Sequence, residues 1–419
     1  MSSTYVATSS DLAILRPLAQ RVRQIASSDD NLARKRRWLR HNALQSGAPM
    51  VLIEVGGLGG NNENPITPML QCQEKWARDL ELGLRSSVYQ FEVVKDDWVV
   101  EPYLNCNWKV DPGSYGVSAK STSGSHDGIM GSRIWEPPLK NLQEDFAKLQ
   151  KRKFSVDRDA TLTWKKHLEE TLGDILPVRM RGTYWWTMGM TWVAIDLIGL
   201  EQLMLYMIDD PEGLHRLMKF LHDDHLAFAS WLEKEDLLSL NNENDYVGSG
   251  SVAYTKELPH AGMNGQVRMQ DTWVLSESQE TVGVGPEMFG QFIFPYQRSL
   301  TEKFGLSYYG CCEPVHNRWH IVKGLRNLRK VSVSPWCDEE FMARELAGKY
   351  VFCRKPNPTL ISTECFDEAA IRADLQHTVD LCRKHGTNLE LVMKDVHTVQ
   401  RKPERIARWA ELAREACRS

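Results

Sequence analysis

Four short apolar or β-branched runs, at residues 305–311, 330–334, 350–353 and 389–393, alternate with helical patterns near 315–325, 338–347, 367–384 and 403–417. This alternation constrains the fold more than any other feature, because strands alternating with helices make βαβ units and a parallel sheet. The runs also end abruptly in residues able to do chemistry. FGLSYYGCCEP (304–314) closes on Cys311, Cys312 and a glutamate, KVSVSPWCD (330–338) on a Ser-Pro-Trp-Cys turn holding Trp336, and LELVMKDVHT (389–398) on Lys394, Asp395 and His397. Strands that bury their bodies and present reactive residues at one end describe the catalytic face of a parallel barrel.

Earlier segments extend the pattern. MVLIEV (50–55) is a buried strand carrying Glu54 and ending in glycines and asparagines; VVEPYLNC (99–106), PVRMRG (177–182), LLSLNNEN (237–244) and QVRMQD (266–271), followed by TWVLSESQE, are further strand candidates. About nine strands result, the eight of a (β/α)8 TIM barrel and one more. A doubly wound sheet is the alternative, but no Gly-rich phosphate turn follows any strand. Residues 11–45 read as one helix from their three- and four-residue apolar spacing, an N-terminal helical extension (1–45) packed outside a barrel domain (46–419). Helix is also expected over 142–172 and from about 191 to 233, with a break at Asp210-Pro211. The Gly/Ser-rich stretch 111–133, with His126 and Asp127, is too long for an ordinary connection and reads as a disordered segment or a lid.

The formal charge of −4 gives no electrostatic case for nucleic acid or a membrane surface. Arg34-Lys35-Arg36-Arg37 is the one basic run, expected to be a solvated helix face. No apolar stretch reaches the length of a membrane span, and the polar first residues do not resemble a signal peptide. Nine scattered cysteines fit free thiols in a reducing cytoplasm. Trp185, Trp186 and Trp192 would wall an aromatic cavity or fill core.

Adjacent residues on a strand face opposite ways, so only one of Cys311 and Cys312 is expected at the mouth unless the strand has ended. Thiolates with imidazole or carboxylate suit zinc, whereas buried structural cysteines are the plainer alternative. Asp395 or His397 would serve as ligand or general base, or Lys394 and Asp395 as an ion pair closing the barrel. Glu54 either meets a partner inside or leans out to solvent. Asn241, Asn242 and Glu243 offer polar contacts to substrate, Asp271 stands near Trp273, and Arg354 would bind an anionic group or lie on the surface.

Over about residues 45–415 the chain resembles the uroporphyrinogen decarboxylase superfamily, by the order of its elements, the segment GLEQLMLYMIDDPEGLHRLMKFLHDDHLAFASWLE (199–233), YYGCCEP, LRKVSVSPW and the closing PERIARW. The resemblance implies a (β/α)8 barrel with its site at the carboxyl-terminal mouth. It implies either porphyrinogen decarboxylation or zinc-dependent methyl transfer among corrinoid proteins, thiols and methoxylated aromatics. The decarboxylase's arginine-rich first strand is absent, since this chain reads VLIEVGGLGG there. The methyltransferase's His-x-Cys motif is met by Tyr309-Gly310-Cys311 or Gly310-Cys311-Cys312, without the histidine, and its last-strand cysteine is absent, with Asp395 and His397 nearby instead.

The expectation is therefore a methyltransferase. Zinc would be held by Cys311, Cys312 and His397, and Asp271, Glu243, Asp395 and Lys394 would act as acid, base or ligand. Asn241, Asn242, Trp273, Glu54, Trp336 and Arg354 would bind substrate. A small-molecule substrate and a separate corrinoid protein are the expected partners, with a homodimer left open. A metal-free decarboxylase or lyase acting on a small carboxylic acid, and a non-catalytic barrel acting as a binding partner, are the alternatives.

Overall fold

The computed structural model describes residues 5–124, 133–182 and 184–418. Eight strands run in parallel ladders: β1 (Met50–Ile53), β2 (Leu104–Cys106), β3 (Val178–Met180), β4 (Trp273–Ser276), β5 (Leu306–Tyr309), β6 (Leu328–Val333), β7 (Val351–Arg354) and β8 (Asn388–Met393). Strands β4 to β8 pair in chain order, and β8 returns to β1, giving a six-stranded parallel sheet. Strands β2 and β3 pair separately. This mixed α/β architecture is compatible with a TIM barrel, but among the described residues no ladder joins β1 to β2 or β3 to β4.

Both free edges of the six-stranded sheet are satisfied by other groups, as buried backbone polar atoms require. Along β1, Val51 N donates to Asp97 Oδ2 (2.8 Å) and Val51 O accepts from Asp97 N (2.8 Å). Ile53 N donates to Asp96 Oδ2 (3.0 Å), and Ile53 O accepts from Gln90 Nε2 (3.0 Å). Along β4, the Asn241 side chain imitates a neighbouring strand: its Oδ1 accepts from Trp273 N (2.8 Å) and its Nδ2 donates to Trp273 O (3.1 Å). Met188 N donates to Leu275 O (2.9 Å).

The period-two alternation of strands sorts the apolar residues into two cores. Met50, Leu52, Trp273, Leu275, Leu306, Tyr308 and Val392 pack on one face with Val247, Val252 and Tyr254 of an inserted hairpin (Tyr246–Gly248 paired with Ser251–Val252) and with Trp38. Val51, Ile53, Val274, Tyr309, Val331, Phe352, Leu391 and Met393 meet the surrounding helices on the other. Between the inner apolar layers lies a fully buried ion pair, Lys330 Nζ to Glu390 Oε2 (3.0 Å), with Ser251 Oγ also accepting from the lysine (2.7 Å).

Several segments depart from the sequence expectations. The single helix over 11–45 is two, α1 (Ser9–Ala26) and α2 (Asp29–Asn42), because the Ser28 hydroxyl caps the second by accepting from Asn31 N. Helix α2 does not pack merely outside: Trp38 is fully buried against the inner core, and Asn42 Nδ2 donates to Val252 O and Tyr254 O. The basic run on α2 is docked rather than wholly solvated, since Arg34 pairs with Asp30, Lys35 with Glu101 and Arg37 with Asp97.

Residues 237–244 form no strand; their asparagines bond sideways to other segments. Helix over 142–172 is interrupted by a strand at Ser155–Asp157, and the 191–233 helix breaks at Gly199 (φ +83°) as well as at Asp210. Within 111–133, Lys120–Ser123 pairs antiparallel with Arg133–Glu136, and His126 and Asp127 lie outside the described residues. No single described helix is long and apolar enough to cross a membrane; only the bent pair Thr191–Ile198 and Leu200–Asp209 meets that test of length and composition jointly.

Candidate active site

Strand β5 stops at Tyr309, and Gly310 turns the chain at φ +96°, a conformation that glycine adopts without cost. A Cβ at Gly310 would come within 2.9 Å of Val315 Cγ2 and 3.2 Å of Ser332 Cβ. The turn cancels the strand alternation, so both cysteines come to the same place: Cys311 Sγ is 3.7 Å from Cys312 Sγ. Glu313 fixes the turn, with its carboxylate accepting from Cys311 N (2.8 Å) and Ser278 N (2.9 Å), which ties the ends of β5 and β4 together.

Three elements converge on the sulfurs. Lys394, the residue after β8, brings its ammonium to 3.9 Å from Cys311 Sγ. Asp395 accepts from Cys312 Sγ at 3.6 Å and pairs with Lys394 at 3.4 Å. Ser249 donates its hydroxyl to Cys311 Sγ at 3.6 Å. Ser249 arrives from the tip of the inserted hairpin, a buried Gly-Ser-Gly turn in which Gly248 and Gly250 pass so close to Tyr308 and Val392 that side chains there would collide.

Cys311 is buried and Cys312 exposed. The hydrogen bond from Cys312 lowers the Cys311 pKa most, burial opposes it, and the Lys394 charge and Ser249 hydroxyl lower it further, to about 7. Near neutral pH a large share of Cys311 is thus thiolate, the nucleophilic form. Cys312, though exposed as a residue, is pushed far up first by the same hydrogen bond and then by partial screening of its sulfur from water and by the Cys311 and Asp395 charges, so it remains the proton donor of the pair. Burial pulls Lys394 down, but the charges of Cys311, Tyr246, Asp395 and Glu54 more than reverse this and keep it an ammonium.

A small cavity of about 50 Å³ runs along β4 and is lined by Tyr184, Trp185, Trp186, Asn241, Tyr246 and Trp273, among others. Tyr246 reaches from this cavity toward the sulfurs: its hydroxyl accepts from Trp186 Nε1 (3.4 Å), and it lies within electrostatic range of Lys394, Glu54 and Cys311. The expected aromatic wall is therefore present, with Trp185 and Trp186 in it and Trp192 not among its lining residues.

The structure disperses the other residues singled out in the sequence. Glu54 lies near Lys394 and Tyr246. Asp271 precedes β4, at the strand end opposite the cysteines, where it bonds to His260 and to Arg268 N. Glu243 is engaged by Tyr103, Arg179, Arg181 and Lys35, away from the sulfurs. Asn241 is spent on Trp273 and Asn242 on Leu258 O. Arg354 is not a surface basic group: it is buried in ion pairs with Glu339 and Asp374, while Lys394 reaches Cys311 and the buried Lys355 donates to Ser249 O. Trp336 is 66% exposed. His397 lies beside Gly57, and its carbonyl accepts from Asn61 Nδ2.

These placements bear on zinc. The sulfurs and Asp395 do not fit a metal centre as they stand: the Lys394 ammonium lies 3.9 Å from Cys311, His397 is not gathered with them, and among the described residues no group of three or more His, Cys, Asp or Glu side chains is gathered to hold an ion.

Sequence reasoning missed Ser249 and Tyr246, whereas Glu277 belongs to the polar cluster that the sequence places next to Trp273. Glu277 follows β4 and is fully buried, with Oε1 lacking a hydrogen-bond partner; burial and then Glu280 and Glu313 raise its pKa well above the carboxylate range. Glycines flanking a serine inside an apolar stretch, VGSGSVAY, were the available signal for the hairpin.

The fold and site together define a mixed α/β protein with a parallel sheet and a cysteine pair beside a lysine at the carboxyl ends of its strands. Over 91% of this chain and 98% of the other, it is similar to the solved structure of a methyltransferase from Methanosarcina mazei, with a TM-score of 0.50 and 11% identity. Likeness at that identity is likeness of fold. No family model matches the sequence, and no curated protein does.

Proposed function

We propose that this chain is a methyltransferase of the uroporphyrinogen decarboxylase type, a (β/α)8 barrel open at two seams, working in a reducing cytoplasm. The observation behind this reading is the Cys311 sulfur held 3.9 Å from the Lys394 ammonium, with Tyr246 reaching from this pair to an aromatic-lined cavity, on a fold similar to that of a methyltransferase. The Cys311 sulfur attacks the methyl carbon of a small methylated substrate. The bond from that carbon to its heteroatom breaks, and the leaving group departs with the electron pair toward the Lys394 ammonium and the Tyr246 hydroxyl. Aromatic rings favour an apolar or cationic methyl group in the cavity. A thiol or a corrinoid protein then takes the methyl group.

The test is incubation of the purified protein with isotopically methyl-labelled thioethers, methylamines and methoxylated aromatics, followed by peptide mass analysis. Label on Cys311 that is absent in Cys311→Ser, together with loss of turnover, supports the reading; full turnover by Cys311→Ser sinks it. Metal analysis belongs beside it, because stoichiometric zinc lost in Cys311→Ala would replace a free nucleophile with a metal-bound thiolate.

A further inference from the structure

We propose that Cys311 and Cys312 form a reversible oxidation site, a vicinal dithiol that closes to a disulfide on reaction with a small-molecule disulfide. The inference concerns the same sulfurs as the proposed methyl transfer but does not require that reaction.

Neighbouring cysteines on a continuing strand would point to opposite faces. Here the Gly310 turn gathers both sulfurs to 3.7 Å, with Asp395 at 3.6 Å from one and Lys394 at 3.9 Å from the other. Their exposures divide the work. Cys312 is open to solvent, where a small disulfide can reach it, and Cys311 is buried behind it. Cys337 Sγ is engaged with Ser334 Oγ and Glu313 O, and Cys353 Sγ accepts from Lys355 Nζ, while the exposed Cys365 has no adjacent cysteine in sequence with which to close such a ring.

The chemistry balances in two exchanges. The shared proton of the pair shifts from Cys312 to Cys311 as the exposed Cys312 sulfur attacks the small disulfide; one small thiolate leaves and takes that proton back from Cys311. The Cys311 thiolate then attacks Cys312 Sγ, forming the Cys311–Cys312 bond and expelling the second small thiolate, which is protonated by solvent. Two cysteine sulfurs are oxidised, and one small disulfide becomes two thiols. Adjacent α-carbons stand only about 3.8 Å apart across a trans peptide, short of the roughly 4.4–6.8 Å of ordinary disulfides. The ring is therefore strained and readily reduced, which suits a switch rather than a staple. Closing it removes the Cys311 thiolate and leaves Lys394 with Asp395 as its ion-pair partner.

The experiment is treatment of the full chain with oxidised glutathione, then digestion and mass analysis of the peptide containing both cysteines. The expected result is loss of two hydrogen atoms without attached glutathione, reversed by dithiothreitol. Cys311→Ser should instead retain one glutathione on Cys312, and Cys312→Ser should form no internal bridge. The proposal is overturned if the unsubstituted peptide keeps both thiols, accumulates glutathione adducts, or links to another cysteine. Peptide masses report this site whether or not methyl transfer occurs, so either reading can fail alone.

Discussion

Lys394 Nζ stands 3.9 Å from Cys311 Sγ although their strands, β8 and β5, are separated in the sheet by β6 and β7. The pair therefore spans the inner face and does not arise from strand neighbourhood. An opposite charge at this range shifts a pKa by about 1–3 units. The Cys311 thiolate, followed by its ultraviolet absorbance against a Cys311→Ser reference, should titrate near pH 7. Lys394→Met should move that midpoint upward by about 1–3 units. An unmoved midpoint would show that the lysine does not hold the thiolate.

Gly310→Ala tests the turn that brings the sulfurs together. A side chain there meets Val315 and Ser332, and the +96° backbone is strained for any residue but glycine. The expected cost is about 1–3 kcal/mol, read by denaturant unfolding, with the Cys311 midpoint moving upward as Cys312 swings away. Unchanged stability and titration would mean that the turn does not position the cysteines.

The legible parts of this protein were those with local causes. Alternating apolar runs located β1 and β5 to β8, and the abrupt ending of the 304–314 and 389–398 stretches pointed to the residues that meet in the site: Cys311, Cys312, Lys394 and Asp395. What stayed hidden depends on long-range placement. Asn241 looked like a substrate contact because nothing local shows that its amide completes a strand edge 32 residues away. Asp271 sits near strand-like sequence, but only the strand direction reveals that it marks the wrong end. Ser249 joins the site because a hairpin enters the sheet's inner face, and a 3.6-residue or two-residue periodicity carries no trace of that insertion.

Asn241→Ala should destabilise the chain by leaving Trp273 N–H and C=O without partners at the β4 edge. A buried polar group stripped of its hydrogen bond costs about 1–3 kcal/mol, so chemical unfolding should show a loss of that order. Asn241→Asp separates the two bonds, since it retains an acceptor for Trp273 N but loses the donor to Trp273 O. Equal stability of all three proteins would mean that the edge is satisfied some other way.

The buried Lys330–Glu390 pair yields a prediction about acid stability. Burial raises the Glu390 pKa, but Lys330 and then His41 more than offset it and hold the carboxyl far below its ordinary value of 4.5. A carboxyl depressed in the folded state contributes stability that is present above the unfolded value and lost as pH falls toward the folded one. Wild-type unfolding free energy should therefore decline as pH drops below about 4.5, and Glu390→Gln should flatten this group's share of the decline. At neutral pH the same variant leaves the Lys330 ammonium buried without its partner, at a cost of about 3–5 kcal/mol. Replacing both residues, Lys330→Met with Glu390→Leu, should recover much of that loss, because an apolar pair of similar size leaves no charge uncompensated. If the double replacement is as unstable as Glu390→Gln, the Lys330 and Glu390 contacts to His41 and Ser251, rather than the ion pair, hold this layer together.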